Sequence, residues 1–212
     1  GYLIQSRKVS VSPSAAIWQA LMLRPESRST SPLLVGFSDD AAPEVENEVH
    51  AIAKILPNAT LFSGKDATFS NFRENAERHD LIHIACHGRF RADSPLYSSL
   101  QLSDGSINVR DISSLKLKSG LAVLSACETG LNKIYPGEEI VGMARGFISA
   151  GVKSLILSLW AVNDETTRHF MTEFYSHLQR GDPAEASLRR TQVAFLERGE
   201  HPYYWSPFCY IG

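Results

Sequence analysis

Five short apolar runs, alternating with stretches of helical periodicity, constrain this chain more than any other feature. They are Leu33-Leu-Val-Gly-Phe37, Ala59-Thr-Leu-Phe62, Leu81-Ile-His-Ile-Ala-Cys86, Leu121-Ala-Val-Leu-Ser-Ala126 and Ser154-Leu-Ile-Leu-Ser-Leu159. Runs this short and apolar on both faces fit central strands of a parallel sheet, with the intervening patterns as crossovers. Pro43 opens a helix through Val45, Val49, Ile52 and Leu56, which Pro57 stops. Phe69, Phe72 and Ala76 mark a second helix. Ile140, Ala144, Phe147 and Ile148 mark a third, ended by Gly151, and Phe170, Phe174 and Leu178 a fourth. Asp182-Pro-Ala-Glu185 reads as a further helix start, with Pro at the first helical position and an Asp-x-x-Glu arrangement like a capping box. Phe208-Cys-Tyr-Ile211 is a candidate last strand. The expected class is therefore α/β, with a mostly parallel central sheet and helices on both faces.

Two segments depart from this pattern. Leu100 to Val109 alternates around Asp104-Gly105, a hairpin signal, and is expected to decorate the rim beside the third strand. Residues 1–32, with Pro13, Pro25, Pro32 and several serines, read as an N-terminal arm, and 33–212 as one domain. The 212 residues carry 21 Lys+Arg against 23 Asp+Glu, a net charge of −2 that argues against a nucleic-acid footprint. No apolar run reaches the ~18 residues of a membrane span, and the opening residues lack the apolar core of a signal peptide. Three cysteines, Cys86, Cys127 and Cys209, form neither a Cys-x-x-Cys motif nor a disulfide framework. A reducing, cytoplasmic setting is expected.

In an open parallel sheet, residues at the carboxyl ends of the strands build the site. The third strand leads into His87-Gly88 and the fourth into Cys127-Glu-Thr-Gly130. If the two strands are neighbours, their axes lie ~4.8 Å apart, and His87 and Cys127 project from one sheet edge. A cysteine needs a base or cation nearby to become a thiolate, and histidine supplies either. Gly88 lets a substrate carbonyl approach, and its N–H with that of Cys127 forms a candidate oxyanion hole. Most buried cysteines are inert, however, and a histidine ending a strand is often a packed core residue. The 40-residue separation suits a hairpin plus one crossover.

At these residues the sequence resembles the CHAT domain, a caspase-like family of the cysteine-peptidase group that includes caspases, gingipains and separase. The resemblance rests on Leu81-Ile-His-Ile-Ala-Cys-His-Gly88, Leu124-Ser-Ala-Cys-Glu-Thr-Gly130, Gly137-Glu-Glu-Ile-Val-Gly-Met-Ala-Arg-Gly-Phe147, Ser158-Leu-Trp-Ala-Val-Asn-Asp164 and Trp205-Ser-Pro-Phe-Cys-Tyr-Ile-Gly212. It implies a caspase-hemoglobinase fold, with His87 as base and Cys127 as nucleophile. It further implies a protein or peptide substrate, an upstream TPR region, and a bacterial defence or programmed-death setting. No cofactor, membrane or nucleic-acid contact is implied. The segment Leu159-Trp-Ala-Val-Asn-Asp164 is similar to separase's, where an acid helps receive a substrate arginine; the further acid that separase has after its tryptophan is here Ala161.

Each candidate has a plainer reading beside it. Cys86 alternates with Ile82 and Ile84 and is expected to pack, as is Cys209 between Phe208 and Tyr210. Asp164 either caps the helix of Phe170 and Phe174 or lines a pocket for a basic residue, with Trp160 as its wall. Glu138 and Glu139 suit a helix dipole, and Glu139 is carried as a pocket acid. Arg89 and Arg91 keep an acidic substrate open. Glu128 is expected to be solvated, and His83 and Asp80 to be structural. His169 and His177 lack partners at metal-ligand spacing, and Gly64-Lys65 lacks a phosphate-loop pattern. The expected activity is a cysteine endopeptidase, with a non-proteolytic or latent scaffold as the alternative. An α/β redox protein using Cys86 and Cys127 is a third class.

Overall fold

The computed structural model describes residues 1–24, 31–40, 43–89, 91, 93–127, 138–160 and 162–212, with backbone alone at 126, 127 and 138–141. The strands are β1 (Pro32–Gly36), β2 (Thr60–Ser63), β3 (Leu81–Arg89), β4 (Ser99–Leu102), β5 (Gly105–Asn108), β6 (Leu121–Cys127), β7 (Ser154–Ser158) and β8 (Phe208–Ile211). The helices are α1 (Ala15–Met22), α2 (Val45–Ile55), α3 (Phe69–Ala76), α4 (Val109–Ser113), α5 (Glu138–Ala150), α6 (Asp164–Gln179), α7 (Ala184–Glu197) and α8 (Pro202–Trp205). The sheet runs β2-β1-β3-β6-β7-β8, parallel through β7, with β8 antiparallel at the edge. Helices cover both faces of this mostly parallel sheet, as the alternation of apolar runs and helical patterns requires.

Strand alternation divides the interior into two cores. Even positions of β3 (Ile82, Ile84, Cys86) join Ala122 and Leu124 of β6 under Phe72 of α3, Ile112 of α4 and Phe147 of α5. Odd positions (Leu81, Ala85) join Leu121 and Val123 under Val49 and Ile52 of α2 and Phe170, Phe174 and Tyr175 of α6. Each fully buried large apolar side chain contributes about 1.5–3 kcal/mol. Gly36 permits the close seating of α2, because a Cβ there would collide with Val49. Gly151, at φ +119°, turns the chain from α5 into β7 where a Cβ would strike the carbonyl of Leu117.

The expected strands and helices are present, and the differences are local. Strand β3 extends past Cys86 to Arg89, because the β4–β5 hairpin pairs antiparallel with it at Gly88↔Leu100 and Arg89↔Ser99. His87 and Gly88 are thus inside a strand. Pro43 precedes the first turn of α2, whose N-cap is Glu44. Asp182 forms no capping box: Pro183 is the N-cap of α7, in extended conformation, and the Asp182 carboxylate meets Arg190 at 3.2 Å. The N-terminal segment holds an unforeseen helix, α1, capped by Ser14 and burying Leu21. Val11 bridges Ile211 at the β8 edge, and Arg189 of α7 donates to the carbonyls of Ile4 and Gln5.

Candidate active site

The register of β3 and β6 is what builds the site. These parallel neighbours pair Ala85 with Ser125, Cys86 with Ala126 and His87 with Cys127. The backbones of His87 and Cys127 are therefore directly opposite at the carboxyl end of the sheet. His87 is buried, at 8% exposure. The Cys127 side chain lies outside the described residues, as do the loop 128–137 with Glu128, and Ala161. Cys86, on the other face of β3, is buried within the α3–α5 core, as its alternation requires. Cys209, partly buried in β8, has its thiol pushed up to about 12 by burial.

The other candidates stand around the same edge. Trp160 follows β7 and is half-buried; its Nε1–H donates to the Tyr203 carbonyl at 3.0 Å, and the two rings lie 6.0 Å apart. Tyr203 is itself exposed, as is Leu159 just before Trp160. Asp164 is the first residue of α6, and the cap is its neighbour: Asn163 accepts from the Thr166 N–H at 2.8 Å. Asp164 Oδ2 instead accepts the Glu44 N–H at 3.1 Å, tying the start of α6 to the start of α2. Glu138 and Glu139 occupy the first turn of α5, with side chains outside the described residues. Arg89 is exposed. Arg91 holds Asp93 at 2.8 Å in open solvent, an ion pair that raises the guanidinium pKa and lowers the carboxyl's.

Beneath the His87–Cys127 level, the α2/α6 face carries buried polar groups. Ser125 Oγ donates to Glu48 Oε2 at 3.0 Å, and Glu48 Oε1 meets His83 Nε2 at 3.1 Å. That second contact has ion-pair length but lies off the axis of a linear hydrogen bond. His83 Nδ1 pairs with the Tyr175 hydroxyl at 3.0 Å. Exposure of these four residues does not exceed 4%. Burial, and then the Glu48 charge, push the Tyr175 pKa well above its ordinary 10, keeping it a neutral phenol. Sequence reasoning assigned His83 to structure and passed over the other three. Glu48 was nonetheless signalled, because it falls between Val45 and Val49 on the buried face of α2. Asp80, at the opposite end of β3, accepts the Ser31 N–H at 3.0 Å. Among the described residues no group of three or more His, Cys, Asp or Glu could hold a metal ion, and no helix is long and apolar enough to cross a membrane.

Comparison with known proteins now decides the family. The CHAT domain family model matches residues 1–212. The chain belongs to the CHAT domain family. Tetratricopeptide repeat protein 28 of Mus musculus is 30% identical over 108 residues, covering 50% of this chain and 4% of that protein. The Homo sapiens protein of the same name is 28% identical over 130 residues, covering 60% and 5%. The chain thus spans a small fraction of the length of these relatives. Among solved structures, the Saccharomyces cerevisiae separase–securin complex superposes with a TM-score of 0.66 at 13% identity, covering 97% of this chain and 14% of that one. The Arg-specific cysteine proteinase gingipain R matches at 0.60 and 13% identity, covering 89% and 48%. At such identities the likeness is one of fold. This CHAT domain has the caspase-like α/β fold that separase and gingipain share.

Proposed function

We propose that this CHAT domain is a cysteine endopeptidase using His87 and Cys127 as a dyad. The observation that carries the reading is the pairing of His87 with Cys127 at the carboxyl ends of adjacent parallel strands. The Cys127 thiol gives its proton to His87, and the thiolate sulfur bonds to the scissile carbonyl carbon. The N–H groups of Gly88 and Cys127 hold the oxyanion. The imidazolium of His87 protonates the leaving amine as the C–N bond breaks. Water then attacks the thioester with His87 as base, releasing the acid and restoring the thiol.

The substrate in this reading is an extended segment of a partner protein, added to the sheet rim as a strand. Asp164 receives a basic residue before the scissile bond, arginine favoured for its paired hydrogen bonds, with Trp160 as wall and Glu139 adding negative potential. One Asp164 oxygen is the acceptor for Glu44, and in this reading the other receives the ligand. An upstream TPR region is the structural partner, a reading supported by the names of the mammalian relatives. In this division residues 1–32 are the arm and 33–212 the peptidase domain. The cytoplasmic location and the bacterial defence setting rest on the sequence alone.

A peptide library varied at the residue before the scissile bond tests the reading. Cleavage after arginine is expected, with Asp164→Asn reducing that preference by roughly tenfold. Cleavage that persists unchanged in Cys127→Ala removes the peptidase and leaves the scaffold. Preference for aspartate or bulky apolar residues, unaffected by Asp164→Asn, removes the basic pocket alone.

A further inference from the structure

A carboxylate buried on the inner face of an amphipathic helix is costly unless it is fully used. Glu48 of α2 meets both strands that carry the proposed dyad, through a hydrogen bond to one and a contact of ion-pair length to the other. Its Oε2 accepts from Ser125 of β6 at 3.0 Å, and its Oε1 stands 3.1 Å from His83 Nε2 of β3. Ser125 is two residues before Cys127 on its strand, and His83 is four before His87. With a period of two, positions 83 and 87 share one face of β3, and positions 125 and 127 share the matching face of β6. The Ala85–Ser125 pair is next below His87–Cys127 on this face, about 7 Å along the strands. Tyr175 of α6 closes the far side. Its hydroxyl lies 3.0 Å from His83 Nδ1.

We propose that Glu48 is a positioning residue for the His87–Cys127 pair, its carboxylate tying β3, β6 and α2 together one step below the site. The inference rests on the dyad reading of the preceding subsection. The last described rung of the β3–β6 ladder is His87↔Cys127, and the Glu48 contacts join the same two strands just below it. Past that rung β3 also pairs with β4, at Gly88↔Leu100 and Arg89↔Ser99. A side-chain tie just below the last rung limits the splaying and shear that would part base from nucleophile. An error of ~1 Å in such a pair costs as much as 10²-fold in rate.

The test is the alkylation of Cys127 by iodoacetamide in the full chain, followed by peptide mass spectrometry so that Cys86 and Cys209 are scored separately. Rates are taken from pH 5.5 to 9.5 in folded protein, well below each variant's unfolding midpoint. Wild type is expected to react at pH 6 far faster than an ordinary thiol, because contact with His87 sustains the thiolate. Glu48→Ala is expected to slow the pH 6 reaction on the order of tenfold and to converge on wild type at pH 9. Glu48→Gln is expected to recover most of the rate, since its amide fills the same space and its oxygen can accept from Ser125. Ser125→Ala, which leaves the His83 contact in place, is expected to lose severalfold and carries the test if Glu48→Ala does not fold. A wild-type profile in these variants, with only a lowered midpoint, overturns the inference. His87→Ala separates the two readings: if it leaves the profile unchanged, the dyad fails and this inference with it. If His87→Ala alters the profile and Glu48→Ala and Ser125→Ala do not, the inference alone fails.

Discussion

The two faces of β3 bury their residues almost equally and by different means. On the α3–α5 side Ile82, Ile84 and Cys86 sit in an apolar core, with Leu124, Phe147 and Leu157 among their companions. On the α2/α6 side Leu81 and Ala85 alternate with His83 and His87, and α2 sends Glu48 into the same layer. The first face holds itself together by area and shape. The second hides polar atoms, at about 1–3 kcal/mol for each one left over, and Glu48 Oε1 and His83 Nε2 meet at 3.1 Å without a hydrogen bond. The contrast teaches where chemistry can be placed in such a fold. The face that already spends stability on fixed hydrogen bonds is the one whose groups are held in one geometry.

The largest effects separate adjacent residues of one strand. His87→Ala and Cys127→Ala are each expected to abolish peptide cleavage, a loss of several orders of magnitude, since a nucleophile and its base act as a unit. Cys86→Ser, one position away on the apolar face, is expected to leave the cleavage rate within a few-fold and to lower stability. Parallel assays of turnover and thermal unfolding check this. A Cys86 variant as inactive as the Cys127 variant would break the comparison and favour a role for both thiols.

Stability gives the next contrast. Phe147, wholly buried on the apolar face, is expected to cost about 3–5 kcal/mol on replacement by alanine through lost packing and the cavity left. Ser125→Ala is expected to cost about 1–3 kcal/mol, because it leaves Glu48 Oε2 without its donor in the interior. Urea unfolding at neutral pH measures both. A near-neutral Ser125→Ala would mean that water reaches the carboxylate and that the polar face is not dry.

Much of this division was legible in the sequence. Short, mainly apolar runs located the five parallel strands, and helical periodicity located α2, α3, α5 and α6, because both follow from which side chains must leave water. The opposition of His87 and Cys127 followed from assuming adjacent strands, which the register confirms for the backbone. What escaped depended on tertiary partners. Strand β3 gained His87 through its rung with Cys127, and Gly88 and Arg89 because a hairpin arrived to pair with them. Asp182 and Asp164 carry good capping side chains, yet an arginine and a distant backbone N–H took them. Helix α1 declares little by its composition, since Trp18 and Met22 remain exposed. Glu48 could have been singled out from its place between apolar helix positions; its partners Ser125 and His83 could not, because they lie on two other elements.

The smallest effects sharpen the comparison at alkaline pH, where each face holds one group kept neutral by burial. Tyr175 belongs to the polar face, with a pKa raised well above 10; Cys209 packs against the apolar core, with a pKa raised to about 12. A folded-state pKa above the unfolded one gives stability that is complete below the unfolded value and is lost as pH climbs toward the folded value. The Cys209 contribution therefore begins to fall near pH 9, its ordinary value, and that of Tyr175 near pH 10. At pH 10 the thiol alone is expected to remove on the order of 1 kcal/mol relative to pH 8. Cys209→Ala should shrink that drop, each variant being referred to its own pH 8 stability so that the lost packing cancels. Tyr175→Phe should leave the drop between pH 8 and 9.5 unchanged and flatten only the decline above pH 10. At neutral pH it should already be weaker, because His83 Nδ1 has lost its partner. Denaturant titrations at half-unit pH steps resolve the two onsets. A single common onset in both variants would show that one alkaline opening event exposes the two faces together, and the independence of the two cores would be lost.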